Sequence, residues 1–239
     1  MKHILTILLF ILCCLHLPAQ QLELPHVKLT NEQQVDNYFE HVGLYSPLYS
    51  GKEQIKYATH IKNDPYLKNP GYDEGSLLFD GVFYPKVYMR LDLYRNELLV
   101  RTPDNRFNII VPNEKVSYLT LHSYYIFYHY PDEKPGSPPE GYYLRLYEGK
   151  HTVLERKNRG YLESIRDMKL EGEFVNRDRY YIYKDGKYYP VKSKSAVLKF
   201  FDSHKRELKQ FIKQNRLNFR TDPDQAIVAV VEHYEKLTH

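Results

Sequence analysis

Hydrophobic and polar residues alternate with a period of two from Gly75 to Val191, and the period changes to 3.6 beyond it. The clearest alternation places Val87, Met89, Leu91 and Leu93 on one face of a strand, with Tyr88, Arg90, Asp92 and Tyr94 on the other. Three acid–glycine pairs interrupt the pattern: Asp80-Gly81, Glu148-Gly149 and Asp185-Gly186. Each suits the two-residue type I′ turn, which needs positive φ at both central positions and matches strand twist. The last pair fixes a register, with Tyr183 opposite Tyr188 and Ile182 opposite Tyr189. Further strands are predicted over 97–101, 106–111, 115–121 and 123–130. Connections this short join antiparallel neighbours, because a parallel return needs a crossover of about a dozen residues. The middle of the chain therefore reads as a meander of roughly eight strands, with a proline-rich exposed loop over 131–141.

The helical period begins after Val191. Ser195 or a neighbour caps a short helix through Phe201, and Ser203 caps a second to about Asn215. The last helix has the strongest start signal: Asp222 as N-cap, Pro223 in the first turn and Gln225 completing a capping box. Its apolar positions Ala226, Ile227, Val230, Val231, Tyr234 and Leu237 form one stripe, which demands burial. Ahead of the strands, Thr30 to Gly43 reads as a short capped helix. The segment 44–74 reads as an irregular wrap pinned by Tyr45, Tyr49, Tyr57, Tyr66 and Tyr72. The expected fold class is α+β: a curved antiparallel β-meander, an open half-barrel or sandwich-like sheet, with C-terminal helices packed on it. The expected organisation is a signal peptide (1–20), an N-terminal arm, short helix and wrap (21–74), a β domain (75–191) and a helical segment (192–239).

The signal peptide is read from Met1-Lys2-His3, the apolar run Ile4 to Leu17, and Pro18-Ala19-Gln20 at a cleavage site. Both cysteines, Cys13 and Cys14, lie inside that run, so the exported chain holds no disulfide and no thiol ligand. Nothing after Gln20 is long and apolar enough to span a bilayer as a helix. A formal charge of +4 over 239 residues is too mild for a nucleic-acid binder. The 24 tyrosines, with no tryptophan, suit a half-buried sheet surface better than a sugar-stacking platform.

The run Arg179-Tyr-Tyr-Ile-Tyr-Lys-Asp-Gly-Lys-Tyr-Tyr-Pro-Val-Lys-Ser-Lys-Ser195, together with Gly75-Ser-Leu-Leu-Phe-Asp-Gly81 and Gly141-Tyr-Tyr-Leu-Arg-Leu-Tyr-Glu-Gly-Lys150, resembles a family of exported proteins of Bacteroidota. The resemblance covers nearly the whole exported chain. It implies the periplasm or outer-membrane periphery of a Gram-negative bacterium, and it carries no established activity and no catalytic residue.

Chemical motifs are sparse. There is no Gly-x-Ser-x-Gly elbow, no Ser-x-x-Lys, no His-Glu-x-x-His and no glycine-rich phosphate loop. His122 and His129, seven apart in one segment, point to opposite faces if the strand is regular and do not share a metal without a bulge. Asp73-Glu74 and Asp132-Glu133 fall in predicted loops, where solvated acids are the ordinary case. No catalytic, cofactor-binding or metal-binding residue is assigned, and no cofactor is expected. The one charge feature is the run from Lys192 to Arg220, with nine basic residues against Asp202 and Glu207. Lys205, Lys209, Lys213 and Arg216 follow helical spacing and suggest a surface for an anionic partner: an envelope protein, anionic lipid or lipopolysaccharide. A solvated helix face is the competing account. The expected function is a non-catalytic envelope binding or assembly protein, in one version a carrier of an apolar or anionic ligand. The alternative is a hydrolase of an envelope or imported polymer with a loop-built site.

Overall fold

The acid–glycine corners and alternating strands build a sheet of eleven strands in the computed structural model, which describes residues 43–131 and 137–238. These residues belong to one compact unit, Val42–His239. The signal peptide, the arm and the helix expected before Gly43 lie outside the described residues, as does Asp132-Glu133. Strands β1 (Lys52–Glu53), β2 (Asp73–Phe79), β3 (Val82–Asp92), β4 (Glu97–Arg101) and β5 (Asn108–Val111) form one side. Strands β6 (Val116–Leu121), β7 (Tyr124–His129), β8 (Gly141–Glu148) and β9 (Thr152–Arg156) continue on the other side of β2. After a separate hairpin, β10 (Arg159–Arg166) and β11 (Lys169–Asn176), the sheet is completed by β12 (Arg179–Lys184) and β13 (Lys187–Pro190). The order is β1-β5-β4-β3-β2-β6-β7-β8-β9-β12-β13, and every ladder is antiparallel.

The sheet is curved and stays open, with β1 and β13 at its two ends. Its bend is visible in bonds between distant strands. Asn96, in the β3–β4 turn, accepts from the Tyr142 N–H of β8 at 3.1 Å and donates to Tyr128 of β7 at 3.2 Å. A register shift where Pro85 and Lys86 lie in β3 contributes to this bend, as bulges increase local twist. The inward face carries Leu77, Met89, Leu91, Leu98, Val100, Leu119, Ile126 and Leu144, each at most 1% exposed.

The expected registers hold where turn chemistry is explicit. Tyr183 faces Tyr188 and Ile182 faces Tyr189. Asp80-Gly81 and Asp185-Gly186 both have positive φ, as a type I′ turn requires. Glu148-Gly149 departs from that expectation. Glu148 pairs with Thr152 inside the ladder, so the loop has three residues, 149–151. Gly149 serves a different need, because a Cβ there would overlap the carboxylate of Glu235 and the hydroxyl of Tyr147. The alternation in β3 also has an exception. Asp92, expected on the solvent face, is fully buried; it accepts from Tyr57 at 2.7 Å and from the N–H groups of Tyr94 and Arg95. Of the tyrosines expected to pin the wrap, Tyr66 is buried while Tyr45 is 93% exposed and pins nothing. Asp73 and Glu74 open β2 instead of lying in a loop.

Three helices follow: α1 (Lys194–Phe200), α2 (Lys205–Gln214) and α3 (Pro223–Leu237). Ser193 caps α1, and its side chain accepts from the Ala196 N–H. Ser203 does not cap α2, because a 3₁₀ turn over Asp202–His204 runs straight into it. Asp222 caps α3 through the Gln225 N–H. The reciprocal half of the expected capping box is replaced by a backbone bond, Asp222 N–H to Asn218 C=O. Val197, Leu198, Leu208, Ile212, Ile227, Val230 and Val231 then pack with Val153 and Ile182 of the sheet. Ile182 lies at the centre of that contact and is fully buried. Ile182→Ala should cost roughly 2–5 kcal/mol, the usual range for a cavity of this kind. It should be read as a lowered urea midpoint with unchanged slope.

Candidate functional site

The terminal helix carries a carboxylate at each end, and the sheet receives both. At its C-terminal end Glu235, 6% exposed, replaces what an apolar stripe would have. One oxygen accepts from the His151 N–H at 2.6 Å and from His151 Nδ1 at 2.9 Å, and the other accepts from Tyr147 at 2.8 Å. Burial alone would raise the pKa of Glu235, but these donors outweigh it and hold the carboxyl below the usual range. The same hydrogen bond is the chief reason that Tyr147 is pushed up to about 12. His151 is enclosed by Phe200, Phe201 and Tyr234, and its Nε2 has no hydrogen-bond partner among the described residues.

At the N-terminal end, Asp224 meets Tyr180 of β12 and Lys157, which follows β9. Tyr180 donates to Asp224 Oδ1 at 2.5 Å, and its hydroxyl lies 2.9 Å from Glu155 Oε1. Lys157 Nζ donates to Glu155 Oε1 at 2.6 Å and stands 3.6 Å from Asp224. Glu155 is fully buried, and burial raises its pKa from 4.5 to about 7 against the opposing pull of Lys157. Its Oε2 has no hydrogen-bond partner among the described residues. Burial and the bond to Asp224 push Tyr180 far up, so it stays a donor. One hydroxyl proton serves one carboxylate at a time, so contact with the second is favourable only while that carboxyl is protonated.

This cluster lies at the wall of a cleft of about 1120 Å³, bounded by Lys157, Arg179, Tyr180, Phe219, Arg220 and Asp224. Asp224 lines the cleft and Glu155 lies buried behind its wall, with the Tyr180 hydroxyl occupying the space between them. A hydrolytic pair needs that space for the scissile oxygen or a water. The arrangement therefore fastens α3 to the sheet.

Basic residues outnumber acids in the lining of the cleft, five to three. Arg177, Arg179, Lys192 and Arg220 reach the cleft, and none has a carboxylate within ion-pair distance among the described residues. The acids beside them are engaged internally: Asp178 with Arg159 and the Asn158 N–H, Asp222 as a helix cap, Asp224 with Tyr180. Phe219 and Arg220 also border a second, shallower hollow of about 680 Å³. Its floor is Ile212, Leu217 and Phe219, and its rim carries Lys194, Lys209, Lys213 and Arg216.

Of the four residues singled out from sequence, Lys209, Lys213 and Arg216 come together on this rim. Lys205 does not; it is bonded to Asp202 at 3.0 Å. Arg216 reaches its place from a left-handed position (φ 52°) that closes α2, with Leu217 N–H returning to Ile212 C=O. Sequence reasoning left out Lys157, Arg177 and Arg179, which come from the end of β9 and the start of β12. Only the adjacency of β9 and β12 would have revealed them. His122 and His129 do not converge. His122 sits in a turn with φ 53° and contacts Asp73 at 3.3 Å, while His129 lies 3.3 Å from Ser137. No group of three metal-ligating side chains occurs among the described residues.

The two carboxyl groups give opposite pH dependence. Glu155 has a raised folded pKa, so its contribution is complete below 4.5 and is lost as pH rises through about 7. Glu155→Gln should remove that slope, on the order of 3 kcal/mol over the window, in urea midpoints measured against pH. Glu235 has a lowered folded pKa, so its contribution exists above the ordinary carboxyl range and fades as pH falls through the folded value. Glu235→Ala should cost roughly 3 kcal/mol at neutral pH and flatten the acid limb of the same curve.

Comparison with known protein families, curated proteins and solved structures gave no match to this chain.

Proposed function

We propose that the protein is an exported, non-catalytic binding component of a Gram-negative cell envelope, and that its ligand is anionic. One observation carries this reading. Around the two joined hollows, Arg177, Arg179, Lys192, Lys194, Lys209, Lys213, Arg216 and Arg220 are exposed and lack acidic partners among the described residues, while the neighbouring acids are engaged internally. Such a surface raises the local concentration of anions and favours ligands bearing phosphate or carboxylate. Arginine supplies paired donors that match those groups. The aromatic and aliphatic floor of Phe219, Ile212 and Leu217 adds contact for an uncharged portion of the ligand.

A hydrolase acting on an envelope or imported polymer is the second reading, favoured by the raised pKa of Glu155. It is the weaker one, because Glu155 is closed from solvent and Tyr180 fills the gap to Asp224.

Titration of the full chain with inorganic polyphosphate, followed by calorimetry, tests the proposal. Affinity should fall as salt rises, since exposed charges are screened beyond about 8–10 Å. Changing Arg177, Arg179 and Arg220 together to Glu should weaken binding at least about tenfold, equivalent to about 1.4 kcal/mol. Lys205→Glu should leave it unchanged. Equal affinity in the triple variant and the parent would sink the proposal.

A further inference from the structure

The hairpin β10–β11 takes no part in the eleven-stranded sheet. Its base is fixed by packing and backbone bonds. Phe174 lies within 5.7 Å of the rings of Tyr57, Tyr94 and Tyr161. The wrap bonds its outer strand through Lys62 N–H to Gly172 C=O and Gly172 N–H to His60 C=O.

Its tip is different in character. Ile165 and Leu170 are directly opposite and share a face, and Met168 sits in the turn between the strands. These three side chains are 78%, 46% and 97% exposed. Asp167 and Met168 hold φ of 49° and 58°, positions that favour asparagine and glycine. Backbone strain is thus tolerated to keep an apolar side chain at the apex. On the opposite face Arg166 and Lys169 stand side by side, a like-charged cross-strand pair. Glu171 stands 4.0 Å from Arg166 and already binds Lys62 at 2.6 Å, while the exposed Asp167 of the turn makes no ion pair with either base among the described residues.

We infer that this tip is a membrane-docking wedge: Ile165, Met168 and Leu170 enter the interfacial zone of an anionic bilayer while Arg166 and Lys169 hold headgroup phosphates. Three residues on each strand reach about 10 Å, which matches the roughly 5–10 Å depth of interfacial insertion. At that depth the strand edges remain hydrated, so the open hairpin leaves no backbone group dry. A protein partner fits less well. The tip is narrow and convex and holds no aromatic anchor, whereas stable interfaces bury about 800 Å² per partner around such anchors. Arg166 and Lys169 outnumber the single acid of the turn, Asp167, and with Ile165, Met168 and Leu170 between them they complement anionic lipid.

The chain contains no tryptophan, so Met168→Trp gives a single reporter. The full chain carrying it is mixed with vesicles of phosphatidylethanolamine and phosphatidylglycerol. Its emission should shift to the blue, and lipids brominated on their acyl chains should quench it. Adding Arg166→Glu and Lys169→Glu should lower vesicle affinity about tenfold. Unshifted emission on vesicles that sediment the chain overturns the inference, as does absence of binding. A blue shift that grows with protein concentration and needs no lipid overturns it too, because the tip then joins a second copy.

Discussion

The position of the terminal helix is set by where its one buried carboxylate, Glu235, can be satisfied. An apolar stripe alone permits small slides and rotations against a sheet, since burial has no preferred direction. Carboxylates do not: buried without donors they cost several kcal/mol, and the donors sit at single places. Glu235 requires the backbone and ring of His151 and the hydroxyl of Tyr147, while the half-exposed Asp224 adds a bond from Tyr180 at the other end. The two contacts stand at opposite ends of one helix, so a slide or rotation that breaks the first also strains the second. The rest of the C-terminal region follows, because Asp222, Asp224 and Ile227 of that helix form one wall of the cleft.

This fastening also explains the electrostatic character of the surface. Acids near the cleft face inward or cap a helix, where they hold elements together. The bases are left at the mouths of the two hollows with solvent as their counterpart. The asymmetry comes from the local excess of nine basic residues over two acids in 192–220, together with how the helix is attached, and not from the overall charge of the chain, which is formally only +4. Tyr180 is central to both roles. Its ring lies among the buried groups of the helix interface while its hydroxyl closes the gap between Glu155 and Asp224.

Much of the fold was legible because it is local. Type I′ corners specify their own register, so the pairing of Tyr183 with Tyr188 follows from Asp185-Gly186 alone. The cap at Asp222 and the stripe after it likewise need no tertiary knowledge. What stayed hidden depends on distant partners. Asp92 looks solvent-facing by alternation, and only the arrival of Tyr57 makes its burial tolerable. Glu235 reads as an ordinary surface acid until the β8–β9 loop closes over it. Gly149 looks like a turn residue, but its lack of a side chain makes room for that acid. At the candidate site, the run 192–220 announced its charge, while Arg177 and Arg179 came from a segment that only sheet order brings near.

Strands β9 and β12 pair directly, with Arg156 opposite Arg179, although residues 157–178 intervene. The whole excursion between them therefore leaves and re-enters the scaffold at one point. Loop closure varies only slowly with length, by about 0.6 kcal/mol per doubling. The ladder at this junction is thus nearly indifferent to what is spliced into it. Lys157, Gly172 and Phe174 tie the base of the excursion to its neighbours, but the hairpin tip beyond them can lengthen, shrink or be exchanged without disturbing that assembly, which makes it the natural place for this architecture to diversify.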